Sequence, residues 1–286
     1  MVEHGAELTR IYNKKTGAEI LWNADPKFWK RHSPVLFPNV GKTWHNVVKI
    51  QGEQYPTSQH GFARDHDFKC IYAGKEEVKF LLTSTDEMKE VYPFDFELYI
   101  SYRLKKNVIE VEWGIKNPSE ETIYFTIGGH PAIHFAKENE TKADYRLYFP
   151  EKDHLNYILV DIAEGGADPK KVYEMKLEDG YYPLTEELFE RDALIFDENQ
   201  IEEVWISHKD GTPYVGMKCE GFSNFGIWSV KDAPFVCLEP WMGRCDDVGF
   251  EGDISEKPGI NSVESGGTFE KSVRTGRNLP GCPYGG

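Results

Sequence analysis

The chain of 286 residues has no run of about eighteen apolar residues, the length that a membrane-spanning helix needs. Its amino terminus also lacks the charged-then-apolar pattern of a secretory signal peptide. Both absences argue against insertion into a membrane and against export. We therefore expect a soluble protein of the cytoplasm.

Basic residues are too few to balance the acidic ones, because 33 Lys and Arg stand against 48 Asp and Glu and the net charge is -15. No block of Lys or Arg interrupts that background. Nucleic acids and anionic membranes attract basic surfaces, so the composition argues against both as partners. It favours a small neutral or cationic ligand and leaves the oligomeric state open.

Cysteine pairs and phosphate-binding loops are also missing. The five cysteines are odd in number and include no Cys-x-x-Cys pair, which indicates neither a zinc knuckle nor a disulfide framework. Gly128-Gly129 lacks the Gly-x-Gly-x-x-Gly spacing of a nucleotide-binding loop. His130 and His134 have the spacing of zinc ligands on a helix, but Pro131 disfavours a helix and no third ligand motif follows. We predict no metal and no cofactor.

Alternation of apolar residues with period two is the main structural signal. Every even position in 94–104 and every odd position in 109–115 is apolar, which predicts two strands joined by a short turn. Residues 122–127 are predicted to add a third strand to this antiparallel meander. A helix is predicted to start after Thr185 as its N-cap.

Several further short strands, without an alternating strand-helix rhythm, predict the fold class. We expect an all-β protein whose single domain, residues 1–275, is a large antiparallel β-sandwich. Gly and Pro dominate the last residues, so 276–286 are predicted to form a disordered tail.

His130 is the titratable side chain with the most constrained backbone. Gly128 and Gly129 precede it and Pro131 follows, which fixes the imidazole where a strand ends. A histidine titrates near neutral pH, so a fixed one can give or take a proton during a reaction. A histidine satisfied in the core is the plainer alternative for such a residue.

Two other motifs supply polar partners for a site. Glu239 follows an apolar run and precedes Pro240-Trp241, so partial burial should raise its pKa and make it a usable base. Trp241 offers an apolar platform for a sugar ring. His60 and Arg64 flank Gly-Phe-Ala and can hydrogen-bond ligand hydroxyls, although a structural salt bridge explains Arg64 equally well.

Together these motifs resemble the aldose 1-epimerase (galactose mutarotase-like) family. The resemblance runs from Gly-Ala-Glu-Leu at 5–8 and Pro-Val-Leu-Phe-Pro at 34–38 through His-Gly-Phe-Ala-Arg at 60–64 and Gly-His-Pro at 129–131 to Leu-Glu-Pro-Trp at 238–241 and Gly-Ile-Asn at 259–261. The His-Gly-Phe-Ala-Arg form resembles the branch of sugar-operon and hexose-phosphate epimerases. The family implies a large β-sandwich with the sugar in an open cleft.

The resemblance also implies roles for individual residues. His130 matches the family's general acid, Glu239 its general base, His60 and Arg64 positions that hold the sugar, and Asp192 a hydroxyl-binding aspartate. Acid-base ring opening and reclosure then interconverts the anomers of a hexose, without metal, nucleotide or covalent intermediate. Two alternatives stay open: a hexose-6-phosphate epimerase, with Lys42, Lys231 and Arg244 as candidate phosphate ligands, and a sugar-binding module without catalysis.

Overall fold

The structure of the chain is a computed structural model that describes residues 1–137, 139–161, 164–277 and 279. Strands make up 44% and helices 7%, which confirms the all-β prediction. No helix among the described residues is long and apolar enough to cross a membrane.

The strands are short and follow one another throughout the chain. The first twelve are β1 (Tyr12–Asn13), β2 (Ala18–Glu19), β3 (Val35–Leu36), β4 (Val47–Ile50), β5 (Glu53–Pro56), β6 (Lys69–Ala73), β7 (Glu77–Thr83), β8 (Glu97–Lys105), β9 (Val108–Lys116), β10 (Ile123–Phe125), β11 (Ile127–Gly129) and β12 (Ala132–His134). The others are β13 (Tyr145–Tyr148), β14 (His154–Leu159), β15 (Tyr173–Lys176), β16 (Tyr181–Pro183), β17 (Leu194–Phe196), β18 (Glu203–His208), β19 (Pro213–Lys218), β20 (Asn224–Trp228), β21 (Phe235–Met242), β22 (Asn261–Val263) and β23 (Thr268–Gly276).

Two large antiparallel sheets form the sandwich. The nine-stranded sheet has the order β16-β13-β18-β19-β23-β9-β8-β7-β6. The eight-stranded sheet has the order β15-β14-β17-β20-β21-β11-β3, and β12 also pairs with β21. Three two-stranded pairs, β1-β2, β4-β5 and β10-β22, lie outside them.

Period-two alternation decides which side chains fill the space between the sheets. In β8 and β9 the predicted apolar positions, including Leu98, Ile100, Trp113 and Ile115, face the central core. Side chains of the eight-stranded sheet, such as Leu238 of β21, meet them from the other side. Successive residues of a strand point to opposite faces, so the residues on either side of Leu238 point away from this core.

The outer face of the eight-stranded sheet carries the residues of the functional motifs. Cys237 and Trp241 belong to smaller apolar clusters that are separate from the central core. Glu239 lies between them in the same alternation and therefore shares their face. The alternation therefore points Glu239 and Trp241 of the Leu-Glu-Pro-Trp motif outward, while Leu238 points into the sandwich.

The strand predicted at 122–127 forms as β10, but its predicted place in the meander, beside β9, is wrong. β8 and β9 pair as expected, but the second neighbour of β9 is the distant β23, and β10 pairs with β22. The side-chain amide of Asn117 donates to the carbonyls of Glu121 and Val263, which turns the chain out of the sheet after β9. β11 then enters the opposite sheet beside β21 and β3.

The helix predicted after Thr185 is also wrong. The segment forms only a 3₁₀ turn, Glu187–Phe189, and the chain reverses soon afterwards at Asp192, whose φ of 74° is left-handed. A single short α-helix, α1 (Asp86–Lys89), occurs elsewhere in the described residues, capped by Thr85. In the predicted tail, residues 278 and 280–286 lie outside the described residues, whereas Gly276 ends β23.

Candidate active site

The strand register places His130 opposite Glu239. Gly128 pairs with Trp241 and Ala132 pairs with Cys237, so the same register continued through the break between β11 and β12 aligns His130 with Glu239. The backbone N–H of His130 is fixed by a hydrogen bond of 3.1 Å to the carbonyl of Pro34. Two motifs more than a hundred positions apart thus become cross-strand neighbours.

The side chains of this pair are close and buried. His130 Nε2 lies 3.2 Å from Glu239 Oε1, and the side chains are 8% and 1% exposed. Glu239 Oε1 and His130 Nδ1 nonetheless have no hydrogen-bond partner among the described residues. Unsatisfied buried polar atoms cost free energy, so this pair is a candidate place for a ligand that can supply the missing partners.

Burial sets the protonation of the pair. Loss of hydration lowers the pKa of His130 to about 3 and raises the pKa of Glu239 well above its usual range, and Asp192 raises the latter further. Although the two atoms are at ion-pair distance, we assign the neutral forms, because burial penalises either charge. The pair therefore shares one transferable proton, and burial favours the neutral arrangement in which that proton lies on Glu239.

All six residues predicted for the site line one cleft of about 660 Å³ on the outer face of the eight-stranded sheet. They are His60, Arg64, His130, Asp192, Glu239 and Trp241. Most of the residues that line the cleft come from β20 and β21, from the break after β11, and from the loops around residues 29–31, 40–42, 59–64 and 189–193. The structure thus brings the predicted residues together without exception.

His60 is held in a defined tautomer at the cleft wall. Its Nδ1 accepts a hydrogen bond of 3.0 Å from the N–H of Gly41, so in the neutral ring the proton lies on Nε2, which is free to donate. Burial lowers the pKa of His60 well below its usual value, and the nearby His130 adds to this effect. The two imidazole rings meet edge to face at 5.5 Å.

Arg64 is tied to the same loop. Its Nη2 donates to the carbonyl of Gln59 at 2.6 Å, while its buried Nε has no hydrogen-bond partner in the described part of the chain. Burial and the neighbouring Arg31 lower the pKa of Arg64 to about 10, so it stays charged at neutral pH. Among the described residues, the predicted salt-bridge alternative is represented by a long contact of 3.7 Å between Arg64 Nε and Asp65 Oδ2.

Asp192 and Trp241 occupy different depths of the cleft. Asp192 is half-buried at the rim, with Oδ1 accepting a hydrogen bond from the N–H of Ala193. Trp241 is only 4% exposed, and its ring fits against Gly128 and Gly226, where a Cβ would lie 2.4 and 2.3 Å from ring atoms. Trp241 therefore forms a buried part of the cleft wall beside Glu239, and not the open platform that the sequence suggested.

The aromatic walls of the cleft come from residues that the sequence did not single out. Trp29 stacks on the ring of His130 at 4.7 Å, and Trp228 meets the same ring edge-on at 5.4 Å. Trp228 lies two residues after Gly226 on β20, so the two residues face the same side of the sheet. Once the sheet is known, this spacing predicts that Trp228 faces outward. Nothing in the irregular segment around Trp29 distinguishes it from the other tryptophans.

Cationic side chains surround the cleft. Lys42 and Lys231, which the sequence suggested as phosphate ligands, line it together with Lys30, Arg31 and Arg64. Arg31 also donates to Asp65 at 2.8 Å.

Arg244, the third suggested phosphate ligand, does not line the cleft. It is buried and bound to Asp197 and Asp247 at 3.0 and 2.8 Å, so the suggestion is wrong for this residue.

Two other places in the structure are candidates for a functional site, the surroundings of His134 and a second cavity. His134 stacks on Trp22 and lies outside the cleft lining, so the His130 and His134 pair does not form a joint ligand set. A second cavity of about 720 Å³ has mainly apolar walls and contains the buried ion pair of Lys257 and Asp246, 2.6 Å apart. It includes none of the predicted residues, whereas the first cleft combines titratable groups with aromatic and hydrogen-bonding side chains.

The chain is similar to known proteins in both sequence and structure. A sequence model of the family described as aldose 1-epimerase matches residues 1–243. A galactose mutarotase related enzyme from Lactobacillus acidophilus is 31% identical, with a TM-score of 0.91 and coverage of 98% of this chain and 93% of that one. A galactose mutarotase-like protein from Lactobacillus casei is 26% identical, with a TM-score of 0.88 and coverage of 96% and 95%. Protein LacX of Lactococcus lactis subsp. lactis is 28% identical over 276 residues, 94% of this chain and 92% of LacX.

Proposed function

The chain belongs to the aldose 1-epimerase family, and on that premise we propose that it interconverts the α and β anomers of an aldohexose. The observation that carries the proposal is the buried pair of His130 and Glu239, with Nε2 and Oε1 3.2 Å apart at the floor of the cleft. Anomer exchange needs one group that donates a proton and one that accepts it, both within reach of the same sugar.

The reaction moves protons between this pair and two sugar oxygens. Glu239 as carboxylate removes the proton of the C1 hydroxyl while protonated His130 delivers a proton to the ring oxygen, and the C1 to ring-oxygen bond breaks. The ring opens to an aldehyde, which rotates about C1-C2. Reclosure on the other face reverses both transfers and restores the starting protonation state.

The neutral pair contains the same number of protons as the reactive ion pair. Transfer of the proton from Glu239 to His130 across the 3.2 Å gap is enough to start the reaction. Sugar hydroxyls that hydrogen-bond to the carboxylate favour its ionised form, because hydrogen bonds to a charged group stabilise the charge. Substrate binding thus favours the protonation state that reacts.

The remaining side chains of the cleft suit a hexose. His60 Nε2 and the Arg64 guanidinium donate to hydroxyl oxygens, whereas the Asp192 carboxylate accepts from hydroxyl groups. Trp29 and Trp228 present aromatic surfaces to the C-H faces of the ring. These contacts hold the sugar while the pair below moves the protons.

A phosphorylated hexose is the second candidate substrate, favoured by the charge of the cleft. Five cationic side chains line it in the described part of the chain, against two carboxylic acids, Asp192 and Glu239. This positive lining stands out in a chain whose net charge is -15. Local cations next to the ligand act at short range, where the distant negative charge is screened.

Polarimetry of freshly dissolved aldohexoses and their 6-phosphates tests the proposal and separates the two substrates. We expect the protein to speed the approach to the anomeric equilibrium of at least one sugar in the panel. If the phosphate is recognised, Lys42→Met and Lys231→Met will raise KM for the 6-phosphate at least severalfold and leave KM for the free sugar unchanged. Lys69→Met on the exposed edge strand β6 is the matched control.

A sugar-binding module without catalysis remains the alternative from another class. It predicts saturable sugar binding with no acceleration for any sugar of the panel. A buried acid-base pair without hydrogen-bond partners is costly for a protein that only binds, which supports the enzyme over the module.

A further inference from the structure

Cys237 lies beside the proton-transfer pair and has no part in the mechanism. It precedes Glu239 by two residues on β21, so both side chains point to the outer face of the sheet. One ligand atom each from His130, Cys237 and Glu239 lie within 4.8 Å of one another. Strand β21 and the break between β11 and β12 therefore bring a nitrogen, a sulfur and an oxygen donor close together.

One polar atom of this cluster lacks a partner. Glu239 Oε1, which faces His130 Nε2, is buried and has no hydrogen-bond partner among the described residues. The residues His130 and Glu239 themselves are 6% and 1% exposed. His130 and Glu239 line the cleft, so an ion reaches the cluster from solvent through it.

The three donor types suit a zinc ion, and the spacing between the nitrogen and the oxygen is close to the one that zinc requires. Zn²⁺ binds imidazole nitrogen, thiolate sulfur and carboxylate oxygen at roughly 2.0 to 2.3 Å, which separates two tetrahedral N and O ligands by about 3.4 Å. The distance between His130 Nε2 and Glu239 Oε1, 3.2 Å, is close to that value. A bound ion deprotonates a coordinating thiol, and thiolate plus carboxylate balance the charge of Zn²⁺, so the buried complex is neutral.

We propose that His130, Cys237 and Glu239 bind one Zn²⁺ ion, which inhibits the protein by occupying both groups that move protons. Three protein ligands leave the fourth position open toward the cleft. The ion competes with the transferable proton and is an inhibitor rather than a cofactor. The inhibition rests on the proposed function, whereas the binding site does not.

Metal titration of the purified full chain tests the site without any activity. We expect one Zn²⁺ per chain in competition with a chromophoric chelator, and an ultraviolet thiolate-to-metal band on addition of Cd²⁺. Cys237→Ala removes the sulfur and keeps both other ligands. It will abolish the band of this site and weaken Zn²⁺ binding at least about tenfold, since even indirect metal partners contribute that much.

Cys245→Ala is the matched control, because Cys245 is a buried thiol that lines the same cleft and is not part of the cluster. This variant will keep the band and the affinity of the unsubstituted protein. The site is refuted if Cys237→Ala binds Zn²⁺ as tightly as the unsubstituted chain, if Cys245→Ala loses as much, or if no saturable binding occurs.

The inhibition is measured as the ratio of rates with and without ZnCl₂ for each variant. We expect inhibition of the unsubstituted protein and of Cys245→Ala, relieved by a chelator, and at least tenfold lower sensitivity in Cys237→Ala. If zinc inhibits Cys237→Ala as strongly as the unsubstituted protein, inhibition through this site is refuted. Zinc binding with no turnover of any sugar would refute the proposed function and leave the metal site standing.

Discussion

The pair of His130 and Glu239 stores its proton on the carboxyl group because both residues are buried. An exposed histidine and glutamate, with pKa values of 6.5 and 4.5, would both be charged between those two pH values and could form an ion pair there. Burial inverts that order here, since it penalises both charges. The inversion has consequences for stability that are independent of any sugar.

Stability depends on pH through both groups. The unfolded chain binds an additional proton at His130 between pH 6.5 and about 3, so stability falls as pH falls through that range. The folded chain retains the Glu239 proton above pH 4.5, where the unfolded chain releases it, so stability falls as pH rises toward the raised pKa. Between pH 4.5 and 6.5 the opposite pH dependences of His130 and Glu239 cancel. The free energy of unfolding that depends on this pair is highest in that interval.

Glu239→Gln isolates the carboxyl part of this dependence. The free energy of unfolding of the variant, minus that of the unsubstituted chain, should increase with pH by roughly 1.4 kcal/mol per unit until the raised pKa of Glu239 is reached. Urea unfolding between about pH 5 and 8 measures it.

Glu110→Gln is the control for this series. Hydrogen bonding to Arg274 holds the pKa of Glu110 below its usual value, so the variant's difference should be flat above about pH 5. A flat difference for Glu239→Gln would contradict the protonated carboxyl.

At the scale of the strands, two glycines make room for the floor of the cleft. Gly128 of β11 and Gly226 of β20 flank β21 on either side, opposite Trp241 and Glu239 respectively. A Cβ at either position would lie well inside contact distance of the Trp241 ring. The Trp241 ring therefore depends on both glycines for its place beside Glu239.

Gly226→Ala tests this dependence. We expect the variant to lose roughly 1 to 3 kcal/mol of stability through overpacking and to lower kcat more than it raises KM, because the displaced ring moves Glu239 on the same strand. Chemical denaturation and steady-state polarimetry measure the two effects. Gly114→Ala in β9 is the control, since its Cβ would meet ordinary contacts at 3.6 Å and should leave both quantities unchanged. Equal effects of the two variants would mean that the ring is not confined.

Sequence periodicity predicted strands well and their partners poorly. Alternation around Leu98 and Trp113 identified β8 and β9, because one face of each strand is buried. The same pattern cannot say which strand lies beside which, and so residues 122–127 were assigned to the wrong sheet. The helix after Thr185 failed for a related reason: a favourable cap has little weight where the chain must turn back within a few residues.

The site was predictable where a motif carries its own constraint. His130 between glycines and proline, and Glu239 before Pro240-Trp241, stood out from the sequence, and both line the cleft. Trp29 and Cys237 did not, since their importance arises only from neighbours on other strands. Cross-strand proximity is a property of the sheet register, which local sequence does not encode.

At the scale of the whole molecule, the charge of the cleft lining is opposite in sign to the net charge of the chain. The chain carries a net charge of -15, yet the described side chains that line the cleft are mainly cationic. A neutral sugar would be indifferent to that arrangement, whereas an anionic one would gain from it at short range. The composition of a chain thus predicts its long-range field more reliably than the preference of one site.

The central claim is that one buried pair transfers the protons of anomer exchange, and equilibrium exchange spectroscopy by NMR measures that transfer directly. The rate of α to β exchange of an aldohexose recognised by the protein should rise with protein concentration. In Glu239→Gln and His130→Ala it should fall by about 10² to 10⁴-fold with sugar binding retained, and in Glu110→Gln it should be unchanged. Exchange that persists at the unsubstituted rate in Glu239→Gln would contradict the account.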